Sequence, residues 1–81
     1  MNETINLINQ HIADSFGIDL ADIQPDFDLR QDLNASELEL ADFISLLESE
    51  FHVEVSVEEI RGLVTVSDLY EIFLDKLNEV S

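Results

Sequence analysis

The sequence predicts an all-α fold, and three observations lead to that prediction. Apolar residues recur at the three- and four-residue spacing that is typical of amphipathic helices. Signals for helix starts occur along the chain, whereas its 81 residues include only two Gly and one Pro. A strand-like alternation occurs only at Val53, Val55 and Val57, which is too short for a sheet. We therefore expect one helical domain over residues 1–81, because a chain of this length builds only one hydrophobic core.

The first helix is predicted over residues 4–16. Asn2 stands where an N-cap is needed, and Gly17 stands where a C-terminal cap is typical. The apolar face is a line of isoleucines closed by a phenylalanine: Ile5, Ile8, Ile12 and Phe16. This face predicts that one side of the helix is buried against the rest of the domain.

Three capping boxes predict the starts of the other helices. In a capping box, a Ser or Thr side chain accepts from the backbone amide three residues later, and an acidic side chain there binds the amide of the cap. The pairs are Ser36 with Glu39, Ser56 with Glu59, and Thr65 with Asp68. They predict a second helix over residues 37–51, a short third helix over 57–63 and a fourth helix over 66–79.

The second helix is expected to have an apolar inward face and an acidic outward face. The inward residues are Leu38, Ala41, Ile44, Leu47 and Phe51, and the outward residues are Glu39, Asp42 and Glu48. Residues 17–35 form a long connection, so we expect its apolar residues to hold it against the core. These residues are Ile18, Leu20, Ile23, Phe27, Leu29 and Leu33.

The charge balance limits the kinds of partner. Nineteen acidic residues against three Lys and Arg residues give a net charge of −16. Such a field repels the phosphates of nucleic acids and anionic membranes, and it attracts basic patches on proteins. We therefore expect no nucleic acid or membrane partner, and we expect a monomer because like charge also separates copies of the chain. The absence of Cys and of a signal-peptide pattern predicts a cytoplasmic location.

Residues 32–38, D-L-N-A-S-E-L, resemble the D-L-G-A-D-S-L motif of the acyl carrier protein family. The similarity continues without a gap to Phe51, and Thr65-Val66 stands where the family commonly has Thr-Val. The resemblance implies a four-helix acyl-carrier-like bundle with three longer helices, one short third helix and a long loop between helices 1 and 2. It also implies a carrier in fatty acid or related biosynthesis that docks its acidic second helix on basic patches of acyl-transferring or biosynthetic enzymes. The docking residues would be Glu37, Glu39, Asp42 and Glu48.

In that family, a phosphopantetheinyl transferase attaches a 4′-phosphopantetheine arm to the serine of the motif, and the matching residue here is Glu37. A carboxylate joined to the phosphate of the arm would form a labile mixed anhydride, so Glu37 is excluded as the anchor. Ser36, one residue earlier, remains as the candidate for attachment. It is either an N-cap alone or a cap that also carries the arm.

Two other functions stay open. A carrier without its prosthetic group, acting as a protein-interaction or regulatory subunit, is supported directly by Glu37. A divalent-cation-binding protein is the less favoured alternative. Residues 26–37 have oxygen ligands at most spacings of a calcium loop, but Arg30 stands at a ligand position and Gln31 at the glycine position.

Other kinds of site are not predicted. His11 and His52 are far apart and the chain has no Cys, so we expect no transition-metal site. No nucleophile has a recognisable base and oxyanion partner, so we expect that the protein is not an enzyme.

Overall fold

The computed structural model describes residues 2–80, and it describes side chains as far as residue 78. These residues form four helices and their connections. The helices are α1 (Glu3–Phe16), α2 (Glu37–Phe51), α3 (Val57–Arg61) and α4 (Val66–Val80). A 3-10 turn, Leu20–Asp22, lies between α1 and α2. The predicted all-α fold, with a short third helix and a long loop between helices 1 and 2, is confirmed.

Local hydrogen bonds define the four helix starts and the end of α1 at the caps that the sequence predicted. Asn2 accepts from two backbone amides in the first turn of α1, and Gly17 ends that helix in the left-handed region at φ 66°. All three predicted capping boxes are present, with donor–acceptor distances of 2.8 to 3.2 Å. In the last of them, the Asp68 carboxylate also accepts from the Val64 amide at 3.0 Å. These amides hold the pKa of Asp68 below its ordinary value, the Thr65 amide having the largest effect.

The third helix is shorter than predicted, because it ends at Arg61 rather than at residue 63. The Gly62 amide is shared by the carbonyls of Glu58 and Glu59 at 3.2 Å each, which is common in a final helical turn. Leu63 then leaves the helix and is buried.

The inward face of α2 differs from the predicted one. Leu38 is 72% exposed, so the prediction that it points into the core is wrong. The buried residues of α2 are Leu40, Phe43, Ile44 and Leu47. Two overlapping apolar stripes in α2 both have helical spacing, and the stripe that begins at Leu40 is the one that packs. Its Phe43 ring contacts the Phe16 ring of α1, with centroids 5.2 Å apart.

The connection before α2 is held against the start of α4. The Leu29 amide donates to the Val64 carbonyl, and the Val66 amide donates to the Phe27 carbonyl, both at 2.9 Å. The buried apolar residues of the connection are Ile23, Leu29, Leu33 and Ala35. Leu20 is 49% exposed, so its predicted core role is wrong. It lies in the 3-10 turn, where all three residues are exposed to solvent.

The core lies between α1, α2, α4 and this connection. Its fully buried side chains include Ile8, Ile12, Leu47, Leu69 and Phe73. Among the described residues, no buried side-chain nitrogen or oxygen lacks a hydrogen-bond partner. No helix within residues 2–80 has the length and apolar character needed to cross a membrane.

Candidate functional site

The turn before α2 and the first residues of that helix contain residues 32–38, the segment that resembles the acyl carrier protein motif. Asn34 adopts the left-handed conformation at φ 55°, which Asn tolerates better than most residues other than Gly. The Ala35 amide then donates to the Arg30 carbonyl at 3.0 Å and closes the turn. The replacement of the motif's Gly by Asn34 is therefore compatible with the turn.

The carboxylates of this loop bind backbone amides. Asp28 accepts from the amides of Arg30 and Gln31 at 2.8 Å each, and Asp32 accepts from the Asp28 amide at 2.7 Å. The Gln31 amide, followed by the Arg30 amide, lowers the pKa of Asp28. These bonds build the turn and do not assemble the ligand set of a calcium loop.

Ser36 caps α2 and shares a reciprocal pair of bonds with Glu39. Its hydroxyl oxygen accepts from the Glu39 amide at 3.1 Å, and its own amide donates to the Glu39 carboxylate at 2.9 Å. The bond from the Ser36 amide is the largest cause of the lowered pKa of Glu39. Both residues are exposed, so the hydroxyl of Ser36 lies at the surface although it already has a structural partner.

Glu37, the first residue of α2, forms a two-point ion pair with Arg30. The Arg30 Nε donates to Glu37 Oε1, and Nη2 lies 3.5 Å from Oε2. A third bond runs from Arg30 Nη1 to the Leu63 carbonyl at 2.6 Å. Arg30 therefore joins the loop, the start of α2 and the residues after α3.

The ion pair favours the charged form of both side chains. The side-chain hydrogen bond with Arg30 lowers the pKa of Glu37, and the same bond raises the pKa of Arg30. The Glu37 side chain is 70% exposed, whereas that of Arg30 is 30% exposed. Solvent screens a pair of this exposure, so its contribution to the stability of the fold is small.

The predicted docking residues do not lie on one stripe of α2. Glu39 and Glu48 are nine residues apart, or about 2.5 turns, which places them on opposite sides of the helix. The half-buried Glu48 carboxylate accepts from the Val55 amide at 2.8 Å and so binds the connection to α3. Of the four, Glu37 is paired with Arg30 and Glu39 with the cap, which leaves Asp42 as the exposed carboxylate nearest the middle of the outward face.

Asp42 lies between two exposed leucines that the sequence prediction missed. Leu38 is 72% exposed and Leu46 is 41% exposed, and the three residues follow one another at a four-residue spacing. On the α1 side, this surface borders a shallow groove of about 220 Å³. The groove is lined by Ser15, Phe16, Glu39, Asp42, Phe43 and Leu46. A helical pattern alone does not distinguish an exposed leucine from a core leucine. For this reason, the sequence did not predict that Leu38 and Leu46 lie on the outward face of α2.

The histidines have separate local roles. His11 Nε2 lies 2.8 Å from a Glu50 carboxylate oxygen. His52 ends α2 in the left-handed region at φ 58°. Among the residues that the structure describes, no group of three His, Cys, Asp or Glu side chains is arranged to hold a metal ion.

Glu37 does not fit the attachment of a phosphopantetheine arm, whereas Ser36 offers an exposed hydroxyl that caps α2. Glu37 offers a carboxylate where a stable phosphodiester requires a hydroxyl. The Ser36 hydroxyl already accepts from the Glu39 amide. A phosphate on Ser36 would also add negative charge beside the carboxylates of Glu37 and Glu39.

Comparisons with known proteins agree with the fold and the motif. Residues 6–73 match the family model described as a phosphopantetheine attachment site. The acyl carrier protein of Saccharopolyspora erythraea is 34% identical over 73 residues, which are 90% of this chain and 77% of that relative. The acyl carrier protein of Solidesulfovibrio magneticus is 33% identical over 72 residues, which are 89% of this chain and 92% of that relative.

Solved structures of acyl carrier proteins have the same fold. The protein from Enterococcus faecalis aligns with a TM-score of 0.80 at 24% identity, covering 91% of this chain and 94% of its own. The protein from Thermotoga maritima aligns with a TM-score of 0.80 at 23% identity and covers both chains completely.

Proposed function

This chain belongs to the acyl carrier protein family, and from that premise we propose that it is a docking module that presents α2 to basic surfaces of partner enzymes. Proteins of this family are carriers, so the chain itself is not an enzyme. The proposed partners are acyl-transferring or biosynthetic enzymes in fatty acid or related biosynthesis, in the cytoplasm. The relatives are named acyl carrier proteins, and the partners, pathway and compartment are this proposal's extension of that family membership.

The observation that carries the proposal is the outward face of α2. Asp42 is exposed there between Leu38 and Leu46, two large apolar side chains that are 72% and 41% exposed. A partner would cover the leucines, and that burial supplies affinity. The net charge of −16 would steer a basic partner towards the surface and accelerate its association at low salt.

We further propose that docking takes place without a prosthetic arm. Two observations support this part of the proposal. Glu37 occupies the position of the family's attachment serine and is ion-paired with Arg30. Ser36, the neighbouring hydroxyl, is engaged as the cap of α2. The chain would then serve as an interaction or regulatory subunit rather than as a carrier of acyl groups.

The docking proposal is tested by a charge reversal in the middle of the face, Asp42→Lys. The probe is an acyltransferase of fatty acid biosynthesis, with its Kd measured by calorimetry at two salt concentrations. We expect Asp42→Lys to weaken binding roughly tenfold and to flatten its salt dependence, since both attraction and steering are reduced. Glu71→Lys, an equal charge change at an exposed position of α4, is the matched control and should have a smaller effect.

Two results would contradict the docking proposal. Equal losses in Asp42→Lys and Glu71→Lys would mean that net charge matters and the α2 face does not. Loss of binding only in Glu71→Lys would mean that the partner binds α4 and not α2. In both variants, circular dichroism checks that the helix content is unchanged.

Attachment of the arm to Ser36 is the second candidate. It is favoured by the exposure of this hydroxyl at a helix N-terminus, where backbone amides attract phosphate. We measure intact mass after incubation with coenzyme A and a broad-specificity phosphopantetheinyl transferase, and we expect no increment. An increment that fragmentation locates on Ser36 would make the protein a loaded carrier and refute the arm-less proposal, while the docking proposal would stand.

A further inference from the structure

Residue 37 is the place where this chain differs most in chemistry from the family motif. It is the first residue of α2, where the free amides and the helix dipole favour negative charge. In a loaded carrier, the group attached there contains a phosphodiester with one negative charge. The Glu37 carboxylate also has one negative charge at neutral pH, and its hydrogen bond with Arg30 lowers its pKa further.

Arg30 is oriented towards that charge by contacts on three sides. Its guanidinium forms the two-point pair with Glu37, and its remaining amine donates to the Leu63 carbonyl at 2.6 Å. Its backbone amide is held by the Asp28 carboxylate at 2.8 Å. A guanidinium in this geometry binds carboxylate and phosphate oxygens alike. Arg30 is thus positioned to bind a carboxylate or a phosphate oxygen at residue 37.

We propose that Glu37 is a built-in substitute for the phosphate of the arm and that Arg30 is the residue that binds it. This inference rests on the proposed arm-less function. The domain would permanently present, at the start of α2, the charge of a loaded carrier. Through the bond to Leu63, the same charge would hold the residues after α3 in place.

The test compares four states of residue 37. They are the wild type, Glu37→Gln, Glu37→Ser, and Glu37→Ser after loading with coenzyme A and the transferase. In the loading reaction, the introduced hydroxyl attacks the pantetheine-bearing phosphorus and forms a phosphodiester. Adenosine 3′,5′-bisphosphate leaves and the hydroxyl proton is released. Each state is prepared with Arg30 and with Arg30→Met, and Tm is measured for all eight proteins.

We expect Arg30 to distinguish charged from neutral states. With Arg30 present, the wild type and the loaded Glu37→Ser protein should melt about 2–4 °C above Glu37→Gln and the unloaded Glu37→Ser protein. With Arg30→Met, these differences should shrink to about a third or less, because the interaction of the pair is removed from both charged states. The backbone amides of Leu63 and Val64 are followed by NMR. With Arg30 present, their chemical shifts should be similar in the two charged states and should differ from those in the two neutral states.

Three results would overturn the inference. If Arg30→Met lowers Tm equally in all four states, Arg30 does not sense the charge at residue 37. If loading raises Tm as much with Arg30→Met as with Arg30, the arm stabilises the fold through other contacts. If folded Glu37→Ser is not loaded while a true carrier is, residue 37 is not the attachment position. None of these measurements includes a docking partner, so their failure is distinct from failure of the docking proposal.

Discussion

Two carboxylates of α2 bind other parts of this protein rather than remaining free at the surface. Glu37 pairs with Arg30, and Glu48 accepts from the Val55 amide at 2.8 Å. From the sequence, both residues were predicted to belong to the acidic docking surface of α2. Their partners lie seven residues away along the chain, beyond the reach of a pattern based on one helix. The acidic side chains of α2 therefore divide between internal structure and the proposed docking face.

Glu48→Ala tests this division for a single residue. The Val55 amide would lose its acceptor in a part-buried place, so we expect the free energy of unfolding to fall by about 1 kcal/mol. The measurement is urea unfolding followed by circular dichroism. Glu48→Gln keeps an acceptor oxygen and should lose less. If Glu48→Ala weakened partner binding more than it lowered the free energy of unfolding, Glu48 would be a docking residue and this division would be wrong.

Helix ends and helix faces differ in how far the sequence predicts them. The bounds of α2 were predicted to the residue, and α1 and α4 each differ by one residue, because caps are built from neighbours within four positions. The buried face of α2 was predicted incorrectly at Leu38. Apolar residues in this helix satisfy more than one inward stripe, and only the positions of α1 and α4 decide which stripe is buried.

The long connection shows the same limit. Its apolar residues correctly indicated that it packs on the core, and Ile23, Leu29 and Leu33 are buried there. Its backbone bonds to the start of α4 join residues far apart in sequence, for example Leu29 with Val64. Those bonds determine that Leu20 is left in solvent while Leu29 is buried, and no local signal separates the two leucines.

At low salt, the dimensions of the molecule are similar to the distance over which its charges interact. Its extents are 32, 29 and 20 Å, and its net charge is −16. The screening length is about 30 Å at 0.01 M salt and about 8 Å at 0.15 M salt. At low salt, nearly every carboxylate therefore repels every other, whereas at moderate salt only neighbours do.

We expect added NaCl to stabilise the fold between 0.01 and 0.15 M. The relief of general repulsion should exceed the weakening of the few ion pairs, since the described chain has two Arg or Lys ion pairs against nineteen acidic residues in the sequence. A gain of about 1 kcal/mol would raise Tm by roughly 4–8 °C for a domain of this size. Magnesium should produce the same rise at lower ionic strength. A fall in Tm with salt would show that the local ion pairs dominate.

The sequence by itself determined the all-α class, the N-caps of the four helices and the family. Each of these depends on short-range information: capping residues, apolar spacing and a motif of seven consecutive residues. The tertiary structure alone decided which leucines of α2 are buried, that Glu48 holds a loop, and that Arg30 lies between Glu37 and Leu63. The last contact joins residues 33 positions apart. Such contacts form only when distant elements pack together, so the partner of a charged side chain is a property of the folded chain and not of its local sequence.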